Sequence, residues 1–210
     1  MYLPGPWIRR GRNEVIVLDL TGPQSARIAG LATPILDQLR PERDLPQPVR
    51  NARPRLDGIT PIHQGQLAPG AATQDVRFAQ AAGGRQFCLE SLSAFDGKEF
   101  AAVAEIALLD ASGQALDQSA WTIAYASSEE TGKEDGSALN AINGQATDHW
   151  HTAYSGKVPR PAHPHRLIID LGRRVDVAGL RYTPRQGEEG VTGRIKQYRL
   201  YLANRLVLDD

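Results

Sequence analysis

The chain is 210 residues long, and its 24 lysines and arginines are balanced by 24 aspartates and glutamates. That balance leaves no net field to favour nucleic acid or an anionic membrane surface, and no apolar run approaches the ~20 residues that a membrane-spanning helix needs. The length suits one full domain plus a partial second element, and a lone cysteine, Cys88, excludes an intrachain disulfide, so the fold must stand on packing, with or without a bound ion. The N-terminus lacks the basic, apolar, small-residue order of a signal peptide. Taken alone the chain reads as cytosolic, and a piece of a longer secreted protein would read the same way.

In chain order, Tyr2-Leu3-Pro4-Gly5-Pro6-Trp7 is a Pro/Gly turn and Glu14-Val15-Ile16-Val17-Leu18 a β-branched run, so residues 1–22 read as the last strand of a truncated β-domain. Residues 23–72 are rich in proline, arginine and glutamine, as in Arg40-Pro41-Glu42-Arg43, and read as an extended linker with one helical turn near Ile35 to Leu39. From 73 to 210 short strands alternate with turns. The strands are 87–92, 104–109, 121–125, 167–171, 177–182 and 195–202, with turns at Asp96-Gly97 and Ser112-Gly113. Without intervening amphipathic helices this pattern predicts an all-β fold, an antiparallel β-sandwich or jelly roll, preceded by a strand fragment and a linker.

Three stretches carry a resemblance: Asn140-Ala141-Ile142-Asn143-Gly144 with Thr147-Asp148-His149-Trp150-His151; Pro164-His165-Arg166-Leu167-Ile168-Ile169-Asp170-Leu171-Gly172; and Tyr182-Thr183-Pro184-Arg185 with Gly193-Arg194. In this order they resemble discoidin modules, the coagulation factor 5/8 type C or galactose-binding-like group. Tyr2 to Trp7 and Asn13 to Val17 resemble the final strands of the accessory jelly roll in bacterial β-galactosidases with a barrel catalytic domain. The resemblance implies a carbohydrate-binding module at the C-terminus of such an enzyme, with a sugar site on loops at one end and a structural calcium nearby. It carries over to His151 and Arg185 as contacts to sugar hydroxyls, to Glu134 (or Glu130 in its place) as the carboxylate completing the grip, and to Tyr154 as the ring beside the sugar. Calcium would rest on backbone carbonyls, the Asn143 amide and Thr147. Two positions depart from the pattern. Thr192-Gly193 stands where relatives have Asn-Gly, losing an amide that donates and accepts, and Asn143-Gly144 stands where they have Asp-Gly, losing a charge that a hard cation favours.

Plainer roles compete. Trp150 and Trp121 read as core, Cys88 as inert core, Asp170 as a strand-ending turn former, and Arg185 equally as a loop bridge to Glu188 or Glu189. His149, His151, His163 and His165 read as loop histidines rather than a zinc cluster, since no cysteine supports one. The adjacent pairs Glu129-Glu130 and Glu188-Glu189 point to opposite faces of extended chain and make poor acid–base pairs for glycoside hydrolysis, so the chain reads as non-catalytic. Two functions remain open. One is a module that holds a linked β-galactosidase on galactose-type glycans; the other is a structural accessory domain that packs on the catalytic domain or self-associates. Its partners would be those glycans and that catalytic domain, not nucleic acid or membrane, and a homodimer could form through the N-terminal strand. The compartment is not legible in the chain itself, and the parent enzyme implied is periplasmic or secreted.

Overall fold

The computed structural model describes residues 53–56, 58–156, 161–187, 191–206 and 208–209, all within the compact unit Pro48–Asp210. Its strands are β1 (Arg53–Pro54), β2 (His63–Gln66), β3 (Gln74–Ala94), β4 (Ala102–Leu109), β5 (Thr122–Ala126), β6 (Trp150–His151), β7 (His165–Pro184), β8 (Ile195–Ala203) and β9 (Leu208–Asp209). Among the described residues the helical structure is one 3-10 turn, Ala138–Ile142, and no helix is long and apolar enough to cross a membrane. The strands run in the order β2-β8-β3-β7-β4-β6, with β5 also on β7, and every pair named is antiparallel. The expected strand fragment 1–22, the helical turn at 35–39 and Trp7 lie outside the described residues.

Two long strands turn this ladder into a sandwich. The second half of β3 pairs with the first half of β7 (Gln86↔Asp170 to Ser91↔His165), while its first half pairs with the end of β7 (Gln74↔Tyr182 to Arg77↔Gly179). Between these stretches the register shifts at Gly84/Gln86 and Arg77/Ala82, and such bulges bend a strand. One layer is therefore β2-β8-β3-β7-β5 and the other β3-β7-β4-β6, with β3 and β7 crossing from one to the other. Gly84 lies at the bend, where a Cβ would meet the Leu202 side chain at 2.7 Å and the Ala203 backbone at 2.9 Å. Sequence runs 167–171 and 177–182 are thus one strand, because a bulge interrupts alternation without ending pairing.

Inward residues of both layers form the main core, among them Phe87, Leu89, Ile106, Leu108, Trp150, Leu167, Ile169, Leu180 and Leu200. Side chains of this kind contribute about 1.5–3 kcal/mol each by leaving water. Trp121 joins the same core, and Cys88 is buried in a smaller cluster with Leu56, Ile168, Tyr201 and Leu206 on the outer face of the first layer, where burial holds its thiol neutral. The module's packing reaches upstream of the expected boundary at residue 73. β2 pairs with β8, the Leu67 amide donates to the Lys196 carbonyl, and Leu56 and Leu67 are buried. His63-Gln64-Gly65-Gln66 has no apolar alternation to announce a strand; as a largely exposed edge it needs none.

Candidate functional site

At one end of the sandwich β6 is pinned between core and loop. Trp150 is enclosed and its indole N–H donates to the Ser128 carbonyl at 2.9 Å; Thr152 exchanges bonds with Ala101 through its backbone N–H (2.9 Å) and hydroxyl (3.0 Å). Alternation along the strand then turns His151 to the opposite face from Trp150. There its ring lies 5.0 Å from Tyr154 and 5.6 Å from Phe100, centroid to centroid. His151 Nδ1 lies 2.6 Å from the Thr152 carbonyl oxygen, which can only accept, so Nδ1 carries the hydrogen and Nε2 presents a lone pair. Burial lowers the His151 pKa, the Thr152 bond and Glu134 oppose that, and Arg185 reinforces it. The imidazole is neutral at neutral pH.

Glu134 Oε2 lies 3.5 Å from Arg185 Nη2 and 3.5 Å from His149 Nε2. His149 is itself held toward neutrality by burial first and by Arg185 second. The Tyr154 phenol is raised by burial and by the nearby Glu134 and Glu130 carboxylates. His151, Arg185, Glu134 and Tyr154, the four residues expected to contact sugar, are therefore brought together. Two of their polar atoms, His151 Nε2 and Glu134 Oε1, are buried and make no hydrogen bond among the described residues.

The supporting groups were not legible in advance. Glu130, considered as a substitute for Glu134, does a different job. At 1% exposure its carboxylate accepts the backbone N–H of Gly132, Lys133, Tyr154 and Ser155 and the Ser155 hydroxyl, so neither oxygen faces a ligand. Burial works to raise its pKa, and these bonds overcome it and hold the group at about 2. Arg194, 9% exposed, donates from Nε and Nη2 to the Arg185 carbonyl at 3.1 and 3.0 Å, fixing the loop that carries Arg185. Glu188 and Glu189, the alternative partners for Arg185, lie outside the described residues.

The expected calcium ligands sit on an adjacent turn. The Asn143 amide donates to Asp148 Oδ2 at 3.0 Å, its Oδ1 accepts the Gln145 N–H at 2.8 Å, and Thr147 is exposed. The carboxylates beside this turn are Asp148, whose buried Oδ1 has no hydrogen-bond partner among the described residues, and Glu105, which accepts the Gly144 N–H at 2.9 Å. Burial raises Glu105 to about 6 against the bonds from Gly144, Gln118 and Ile106, and Asp148 adds to the rise. A hard cation here would draw on these two carboxylates once both are ionised, together with oxygens of the turn. Among the described residues no three His, Cys, Asp or Glu side chains converge as a metal centre.

All three sequence stretches, from Asn140 to Arg194, lie inside a segment that matches a known protein family. Residues 123–205 match the F5/8 type C domain. A sialidase of Micromonospora viridifaciens is 41% identical over 86 residues, covering 41% of this chain and 13% of the sialidase. An A type blood N-acetyl-alpha-D-galactosamine deacetylase of Flavonifractor plautii is 33% identical over 97 residues, covering 46% of this chain and 12% of that protein. The likeness to both relatives is thus confined to a small part of their length. The F5/8 type C match takes in β5 from its second residue and all of β6, β7 and β8, and with them His151, Tyr154, Arg185 and Glu134.

Proposed function

We propose that the F5/8 type C domain is a non-catalytic carbohydrate-binding module that holds a terminal galactose-type sugar at His151, Glu134, Arg185 and Tyr154. The carrying observation is the pair of buried acceptors, His151 Nε2 and Glu134 Oε1, which meet no donor among the described residues beside the Arg185 guanidinium. An unmet buried acceptor costs ~1–3 kcal/mol, which a ligand hydroxyl recovers. A sugar hydroxyl donates to one acceptor while its own oxygen accepts from the guanidinium, and the Tyr154 ring offers an apolar surface beside it. The opposite charges of Arg185 and Glu134 offset one another where the sugar would sit, which suits a neutral ligand.

A linked glycosidase would gain from such a module by effective concentration, not by new chemistry. The likeness to the Micromonospora viridifaciens sialidase supports a glycosidase partner. Our reading of residues 2–17 makes it a β-galactosidase, periplasmic or secreted, joined through a linker. A calcium ion would be held by Asp148 and Glu105 with oxygens of the Asn143 turn, and would supply positive charge that fixes this loop next to β6.

The test is titration of the labelled chain with galactose and lactose, with and without calcium, followed by NMR shifts. Saturable shifts around His151 and Arg185, lost in His151→Ala and Arg185→Ala, are expected. Absence of shifts at high sugar with calcium present would overturn the galactose assignment in favour of a structural accessory domain.

A further inference from the structure

The outward face of the β2-β8-β3-β7 layer carries polar chemistry that the loop-end site does not use. Glu90 on β3 is 2% exposed although it points away from the main core. Its carboxylate accepts from Arg166 Nε at 2.8 Å and from the Tyr201 hydroxyl at 3.1 Å, and lies 3.5 Å from Arg199 Nη1. A carboxylate taken out of water is costly unless its bonds are met, and here they are met by groups of two neighbouring strands. The result is a fixed patch in which two guanidiniums share one carboxylate.

Arg199 is the loosely held member. Its side chain is 45% exposed, and its contact with Glu90 is at the limit of hydrogen-bond length. It lines two adjoining clefts, of about 430 and 450 Å³, that also share Gln64. One cleft runs past Pro61, Glu90 and Tyr201; the other past Gln66, Leu92 and Gln197. Gln197, Arg199 and Tyr201 occupy alternate positions of β8, so they stand in a row with ~7 Å between neighbours. The amides of Gln64, Gln66 and Gln197 offer both donors and acceptors along it.

We infer that this groove is a second carbohydrate site, for a glycan segment that carries a carboxylate. The exposed Arg199 fork matches a carboxylate geometrically and by charge, the glutamines match flanking hydroxyls, and the row suits an extended chain. A protein partner would favour a more apolar centre than these amides and charges provide. The groove shares no lining residue with the His151 site, so either assignment stands without the other.

The experiment uses the labelled full chain with trigalacturonate and, separately, 3′-sialyllactose as probes, each beside its carboxyl-reduced analogue. Saturable shifts at Gln64, Gln66 and residues 197–201 with an acidic probe, weakened by salt, are expected. Shifts with trigalacturonate alone assign a uronate, with sialyllactose alone a sialic acid, and with both the carboxylate in common. Arg199→Gln should raise the Kd about tenfold or more with unchanged thermal midpoint, and His151→Ala should leave it unaltered. The inference is overturned if neither probe moves these signals, if the reduced analogues bind equally, if Arg199→Gln binds like wild type, or if the shifts centre on His151.

Discussion

Acidification should loosen the loop end of the sandwich, with His165 as the principal sensor. His165 is 1% exposed, and its Nε2 lies 3.0 Å from the Glu99 carbonyl oxygen, so Nε2 carries the hydrogen and the buried Nδ1 has no partner among the described residues. Facing it are the ring of His163 at 4.6 Å and, farther off, His151, with Glu99 the anionic neighbour. Burial pulls its pKa from 6.5 to about 4, while the Glu99 bond opposes the fall. The unfolded chain therefore binds more protons than the folded one between these values. Stability is complete above pH 6.5 and drains as pH falls toward 4. At about 1.4 kcal/mol per pH unit over a gap of about 2.5, the loss attributable to this residue is about 3 kcal/mol. Urea midpoints measured from pH 7.5 to 4 for wild type and His165→Gln isolate that share, since glutamine can still donate to the Glu99 carbonyl but does not titrate. Between pH 6.5 and 4 the wild-type curve should fall by about 3 kcal/mol relative to that of the variant. If they run parallel throughout, His165 is not held neutral by its burial and the reasoning fails.

Glu130→Gln replaces an acceptor of five donors with one that can serve fewer, and should cost about 2–4 kcal/mol by urea denaturation. In wild type the loss of Glu130 bonds on acidification falls between pH 4.5 and about 2, which overlaps the His165 window only near pH 4, so the two are separable by pH. Glu105 behaves oppositely: held at about 6 in the fold, it withdraws stability as pH rises from 4.5 to 6. Calcium at that carboxylate should reverse the withdrawal, so added calcium should raise the thermal midpoint more at pH 7 than at pH 5, and Glu105→Gln should remove the difference. Arg194→Met should leave the fold intact but weaken galactose binding several-fold by releasing the Arg185 carbonyl, with a matching spread of Arg185 amide signals in NMR.

The sandwich was legible in the sequence where alternation and turns coincide. The runs at 87–92, 104–109 and 195–202 fall within β3, β4 and β8, and Trp150 and Trp121 are core. The family resemblance implied His151, Arg185, Glu134 and Tyr154 as one group, and the fold sets the four side chains near one another at the loop end. β2 was hidden because an edge strand with both faces partly wet shows no period. The continuity of β3 and β7 was hidden because bulges reset the pattern that marks a strand. Glu130 and Glu134 lie four residues apart in one loop, and only the backbone N–H groups around Glu130 distinguish anchor from ligand-facing carboxylate. Glu105, 39 residues upstream of Gly144, reaches the Asn143 turn solely through the sheet.

The loop-end groups share a construction that bears on how tightly they would hold a sugar. His151 spends Nδ1 on the Thr152 carbonyl, Arg185 has its carbonyl fixed by Arg194, and Tyr154 has its amide fixed by Glu130. Each keeps one chemical group toward the site and has another tied to backbone or to a buried side chain, so little ordering remains to be done when a hydroxyl arrives. Folding has already opposed the entropy that binding would otherwise face. Yet the four proposed contacts are one guanidinium, one carboxylate, one imidazole and one phenol ring, which limits a single neutral sugar to a handful of hydrogen bonds exchanged against water. Preorganisation of so few contacts favours specificity over strength. On this reading a retained enzyme depends on the linkage that keeps the module beside its substrate, and severing that linkage should reduce activity on polymeric glycans far more than on soluble lactose.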